Sequence, residues 1–306
     1  MLHYILRRLL YFIPTLVAIY TVAFLLMHAA PGSPFTQEKN VPPEVLEARK
    51  KEYYLDRPMW QQYVLYGRDL VTLRGHASIS NPDRNVIGDI LVPAFPVSLS
   101  LGIFALGLAV IVGTAAGVTS AARPRSLLDY GAMAAAMIGI SQPSFVIATV
   151  LLAVFSLVLR WLPVGGWGTP GQIVLPALAL AALPAAYIAR LVRTGMLETL
   201  SADFIRTARA KGLAEHQVLL GHALRTAWIP VLGYLGPAAA GIFTGSFVVE
   251  KIFAIPGVGT HFVNSALHRD HPLILATVVL YAALLVVFNL LVDVGYAWLD
   301  PRIRYE

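Results

Sequence analysis

Val97-Ser-Leu-Ser-Leu-Gly-Ile-Phe-Ala-Leu-Gly-Leu-Ala-Val-Ile-Val-Gly-Thr-Ala-Ala-Gly-Val-Thr-Ser-Ala-Ala122 carries no charged side chain and stops at Arg123-Pro124-Arg125. A bilayer core takes about 20 apolar residues of helix to cross, so this block spans a membrane once and ends in a basic loop. Further apolar blocks lie on both sides of it. Upstream, the run to Ala30 follows paired Arg7 and Arg8. Its length exceeds the apolar core of about 7 to 15 residues of a cleaved signal, and Met27-His28-Ala29 is a poor cleavage site, so it reads as a retained first span. Downstream, Asp129 to Leu159, Ile173 to Ala189, Trp228 to Val249 and Leu273 to Leu299 complete six expected spans. Gln142-Pro143-Ser144 should break the third, and Pro176 and Pro184 should interrupt the fourth.

Composition agrees with an integral membrane protein. The 306 residues are 57% hydrophobic and only 13% charged, with a mean hydropathy of +0.68, against about 25% charged in soluble domains. There is no cysteine, which removes disulfides, thiolate nucleophiles and Cys-ligated metals. The histidines show no metal-type spacing, and no G-x-x-x-x-G-K-[ST] run is present. The chain therefore has no expected catalytic residue, metal or cofactor, and it carries no ATP-binding site of its own. An excess of Lys and Arg, formally +6, belongs to cytosolic loops rather than to nucleic acid.

Orientation follows from where those cations fall. An even number of spans puts both termini on one side, together with Arg7, Arg8, Arg123, Arg125, Arg190, Arg193, Arg206, Arg209, Lys211, Arg225, Arg302 and Arg304. The short loops opposite carry Arg160, Lys251 and Arg269. The rule that positive loops stay inside then makes both termini cytoplasmic. Residues 31–95 are polar, open on Pro31-Gly32-Ser33-Pro34, and form an external segment. Within it, Pro43 with Glu44 marks a helix start, and Met59 to Tyr66 is a second helix candidate whose Trp60, Tyr63 and Tyr66 read as packing anchors. The division expected is a first span at 1–30, the external segment at 31–95, and a five-helix core at 96–306 with a cytoplasmic loop at 195–227.

Inside the spans, Gly107, Gly113 and Gly117, and the alanines near Ala134, permit close helix approach. Asp293, one turn from Asn289, is the one span-interior acid singled out, and its place near the cytosolic end suits a structural pairing better than a proton relay. The scarcity of buried charge disfavours an ion-coupled carrier.

The cytoplasmic loop holds a short amphipathic helix. At 100° per residue Phe204, Ile205, Ala208 and Gly212 share an arc, and Arg206 and Arg209 point away. Ser201 is placed to cap it, Asp203 complements the positive end of the dipole, and Lys211 with Gly212 suits its end. Two readings stay open on spacing alone: a face for a soluble partner, or a basic helix lying on anionic lipid.

Arg206-Thr207-Ala208-Arg209-Ala210-Lys211-Gly212, with His222-Ala223-Leu224-Arg225 and Ile229-Pro230, resembles the cytoplasmic loop of membrane subunits of ATP-binding-cassette importers, in its dipeptide and oligopeptide form. Arg206-Thr207-Ala208 stands where the general loop has Glu-Ala-Ala. Ile5-Leu6-Arg7-Arg8 with Pro14-Thr15, Ala30-Pro31-Gly32-Ser33-Pro34, Glu250-Lys251-Ile252-Phe253 with Pro256-Gly257-Val258-Gly259, Asn264 with Ala266-Leu267 and Arg269-Asp270, and Asp300-Pro301-Arg302-Ile303 extend the likeness end to end to the B-type oligopeptide permease subunit.

The resemblance implies an all-α, type I importer permease fold in a bacterial cytoplasmic membrane. It also implies a second homologous permease, two ATP-binding subunits that bind the ATP, an external substrate-binding protein and a peptide substrate. Ser201, Asp203, Phe204, Ile205, Arg206, Ala208, Arg209, Lys211 and Gly212 would then form the coupling helix, with Phe204 and Ile205 as the docking face and the three cations facing acidic groups of the partner. Oligopeptides rank first as cargo, with dipeptides and nickel complexes as alternatives within the family. A non-transporting membrane scaffold is the rival of a different class, and the kinked, glycine-rich spans argue against it.

Overall fold

In the computed structural model, residues 2–32, 34–35 and 42–299 are described, with side chains for 10–32, 34–35, 42–243 and 246–291. The chain is helical, and among the described residues the one β-type pairing is an isolated bridge between Ala77 and Asn85. The helices are α1 (Leu2–Ala29), α2 (Pro43–Glu52), α3 (Met59–Val71), α4 (Val92–Ala122), α5 (Leu127–Ser141), α6 (Ser144–Leu151), α7 (Pro170–Leu200), α8 (Asp203–Ala210), α9 (Glu215–Gln217), α10 (Leu224–Ala227), α11 (Ile229–Ile252), α12 (Val258–His268) and α13 (His271–Leu299). Wider π-type turns lead into α4 over Val86–Leu91, extend α6 over Leu152–Val158 and join α9 to α10 over Val218–Ala223.

Among the described residues, four helices are long and apolar enough to cross a membrane: Leu10–Ala29, Val86–Ala122, Pro170–Leu200 and His271–Leu291. Two bent pairs, Leu127–Ser141 with Ser144–Val158 at 112° and Glu215–Ala227 with Ile229–Phe243 at 58°, bring the number to six when each is one span. The first bend falls where the sequence puts it. Pro143 pushes the preceding Gln142 out of the helical region, to φ −105° and ψ 134°. Pro176 and Pro184 behave otherwise, since α7 runs through both without interruption. Both prolines are buried, and α5, α6, α10 and α11 all pack along α7, so lateral packing offsets the lost backbone bonds. The same helix continues well past Ala189, because Val192 and Met196, fully buried, carry its apolar stripe between the arginines.

The chain divides into two compact units. One joins the residues up to Ser98 with Pro256–Val287, so the stretch around α12 groups with the N-terminal part rather than with the remaining spans. In it α3 packs onto α1: the Tyr20 hydroxyl donates to the Tyr63 carbonyl at 2.6 Å, and Phe24 meets Tyr63 edge-on at 5.3 Å. Tyr66 is buried beside Leu275 of α13. Trp60, in contrast, is 67% exposed, so it is no packing anchor in this chain. The buried Asp270 accepts from the Ser78 hydroxyl, from the Ser80 amide at 3.0 Å and from the Leu273 amide at 3.3 Å. That clasp ties the 78–80 turn to the start of α13.

The second unit comprises Leu99–Ile255 with residues 288–299. Here α4 lies against α7 through glycine. A Cβ at Gly113 would stand 2.6 Å from the Ala185 carbonyl oxygen, and one at Gly117 would stand 2.6 Å from the Val192 Cβ. Larger residues at either place would force the helices apart. Gly107 faces open space and has no such role. The side chain of Asp293 lies outside the described residues.

Candidate functional site at the cytoplasmic-loop helix

The helix α8 is short, and its position is set from both ends. Upstream, Ser201 and Ala202 form the turn from α7. Ser201 is helical and donates its hydroxyl back to the Glu198 carbonyl at 2.7 Å, so it closes α7 and does not cap α8. The N-cap is Ala202, extended at φ −75° and ψ 152°, with no side-chain bond to offer. Asp203 opens the helix and supplies the acidic first turn.

Downstream, Gly212 has φ +80°. Its amide bonds to the Arg209 carbonyl at 2.9 Å and the Leu213 amide to the Ala208 carbonyl at 3.4 Å. These are the two bonds of a Schellman stop, for which glycine is the favoured residue. A Cβ at Gly212 would touch nothing, so the cost of Gly212→Ala is backbone strain alone. It should destabilise the turn by about 1 kcal/mol, seen as faster hydrogen exchange in 203–213 with the rest of the unit unchanged.

The faces of α8 divide differently from the arc the periodicity suggests. Ile205 is fully buried and Ala208 nearly so. Both belong to a core with Ile188, Val192 and Met196 of α7 and with Val218, Ala223, Ala227 and Val231 of the returning chain. Ile205 therefore cannot be a docking residue. The periodicity finds the apolar face correctly, but that face is covered by the chain's own residues. Phe204, at the edge of the arc, is 49% exposed, and Gly212 sits beyond the helix end.

The polar groups are arranged in pairs. Arg209 holds Glu215 with two bonds, Nε to Oε2 at 3.2 Å and Nη2 to Oε1 at 2.7 Å, bridging the end of α8 to α9. Arg206 stands 3.5 Å from Asp203, both well exposed. Lys211 is exposed too. What α8 offers outward is Phe204 flanked by Asp203, Arg206 and Lys211 on a helix fixed from behind.

A second constellation was not read from the sequence. Asp129, 2% exposed, accepts Arg193 Nε at 2.7 Å and Nη2 at 2.8 Å, the Arg125 amide at 2.9 Å and the Ser120 hydroxyl. It joins the 123–126 loop to α7 about two turns before that helix ends at Leu200. Asp129 and Arg193 are 64 residues apart in the sequence, and only the helix packing brings them together.

The same unit contains an apolar cavity of about 660 Å³, lined by Phe104 and Leu108 of α4, by Trp167, and by Ile173, Val174 and Leu178 at the start of α7.

Comparison with known proteins places this geometry in context. Residues 87–305 match a family profile described as "Binding-protein-dependent transport system inner membrane component", and residues 1–102 match its N-terminal counterpart. The oligopeptide transport system permease protein OppB of Haemophilus influenzae is 46% identical over the whole of both chains, and that of Escherichia coli K12 is 47% identical, again over both. The dipeptide transport system permease protein DppB of Bacillus subtilis is 44% identical, covering 99% of this chain and 98% of that one. Among solved structures, an inward-facing MetNI methionine ABC transporter matches with a TM-score of 0.57 at 16% identity, over 68% of this chain and 95% of that one. This last likeness concerns the fold.

Proposed function

We propose, from the premise that this chain belongs to the family of binding-protein-dependent transport system inner membrane components, that it forms half of the translocation pathway of an ATP-driven peptide importer. It is the permease subunit, a multi-pass membrane protein without a catalytic role. Full-length similarity to permeases named for oligopeptides and for dipeptides supports a peptide cargo, with oligopeptides first. A second homologous permease, two ATP-binding subunits and an external binding protein complete the assembly. The Lys and Arg distribution favours cytoplasmic termini, with 31–95 on the outer side.

The observation that carries the coupling role is α8, a helix whose inner face is locked to its own core while Phe204, Arg206 and Lys211 remain outward. Closure of ATP-binding subunits moves a membrane subunit only through a contact whose energy differs between states. A helix that merely rested on lipid would not need to be fixed so firmly behind. Cells carrying the full complex should take up a labelled oligopeptide, and deleting this subunit should reduce uptake at least about tenfold, roughly 1.4 kcal/mol on a rate. Uptake that persists without the subunit would remove the importer reading.

A further inference from the structure

A polar cleft of about 510 Å³ opens between α2, the 78–82 turn and α12, lined by Arg49, Ser80, Asn81, His261, Asn264 and His268. All of these residues belong to the unit that carries the 31–95 segment. The size suits one or two amino-acid residues, within the usual range for small-ligand sites. Its base is apolar, since Ile79 and Leu273, both buried, line it.

The lining is rich in donors, and among the described residues it includes no carboxylate. Asp270 is nearby in sequence, but its carboxylate is fully buried and turned into the clasp with Ser78, Ser80 and Leu273. The same clasp presets the cleft: Asn81 donates its amide to Ser78 Oγ at 3.1 Å, so the turn bearing Ser80 and Asn81 is held before any ligand arrives. Preorganisation of this kind lowers the ordering cost of binding. His268 Nδ1 donates to the Asn264 carbonyl at 2.8 Å, so in the neutral ring Nε2 is an acceptor and not a partner for an anion. His261 is held below its ordinary pKa by burial and by the Arg84 cation, so it remains a neutral hydrogen-bonding group at pH 7 and senses a positive field.

We infer that this cleft receives the free C-terminal carboxylate of a peptide on the outer side of the permease, with Asn81 and Ser80 as its partners. The inference rests on the peptide reading above and deepens it. A terminal carboxylate matches the donors among the described lining residues, and the adjoining peptide group matches the side-chain amide of Asn264, which both donates and accepts.

The test uses the complete membrane complex in detergent without the external binding protein, probed by saturation-transfer NMR with trialanine and trialaninamide. The free acid should bind about tenfold more tightly than the amide, as expected for losing one charge-assisted hydrogen bond. Ser80→Ala and Asn81→Ala, both at exposed positions, should each abolish that difference between acid and amide. Equal binding of acid and amide by the wild type overturns the proposal, as does a difference that survives in both variants. Uptake of the free peptide by the full importer, run in parallel, reads the peptide function separately. Uptake without acid preference in the binding experiment defeats the cleft alone, and absence of wild-type uptake defeats the peptide reading together with it.

Discussion

Ile205→Ala is expected to lose about 2–5 kcal/mol of local stability, the usual cost of truncating a buried isoleucine, and to abolish uptake. Ile205 is fully buried in one core with Ile188, Val192, Met196, Ala208, Val218, Ala223, Ala227 and Val231, so its truncation leaves a cavity inside a packed cluster. The helix it anchors has just eight residues, far below the 12 to 15 or so at which an isolated helix is even marginal in water. Tertiary packing therefore holds α8 in shape, and its largest anchor is Ile205. The loss should appear as local unfolding: proteolysis within 203–215 accelerates, while the assembled complex still purifies and melts near the wild-type temperature. Ile205→Val, one methylene smaller, should cost about 0.5–1.5 kcal/mol and retain partial uptake. If Ile205→Ala leaves both proteolysis and uptake unchanged, the helix is not held as described.

Phe204→Ala separates holding from docking. The side chain is 49% exposed, so its truncation should alter stability by no more than about 1 kcal/mol. Peptide uptake, however, should fall at least about tenfold, because a large aromatic group at the centre of an interface commonly contributes 2 kcal/mol or more to binding. The measurement pairs uptake with recovery of the ATP-binding subunits during purification of the complex. Arg206→Ala provides the contrast, since Arg206 is well exposed and paired over 3.5 Å with an equally exposed Asp203, an arrangement that contributes little. Normal uptake in Phe204→Ala would place the coupling contact elsewhere on the chain.

Much of this was legible in the sequence because the bilayer imposes a length and a composition that any span must meet. Apolar runs, the break at Gln142-Pro143 and the glycine end of α8 each follow from local chemistry. Local chemistry does not say what lies against a face. That is why Ile205 read as available to a partner, why Trp60 read as packed, and why Ser201 was placed at the wrong end of a turn. Prolines gave the opposite error: Pro176 and Pro184 read as interruptions, yet neighbouring helices support the backbone where its own hydrogen bonds are lost. The Asp129 and Arg193 pair was invisible for the same reason. Its members are 64 residues apart and meet only once α5 has packed on α7. The short helix α12 went unread as well, although it supplies one wall of the polar cleft.

The continuity of α7 has a mechanical consequence. At 1.5 Å per residue its 31 residues form a rod of about 46 Å. One end is held to α8 through Val192 and Met196, and the other lines the apolar cavity beside Phe104 and Leu108. A rod that long is a lever, and a tilt of about 5° at the α8 end displaces Pro170 by about 4 Å. A helix broken at its prolines would absorb such a tilt there, whereas α7 stays helical through both and is braced by α5, α6, α10 and α11.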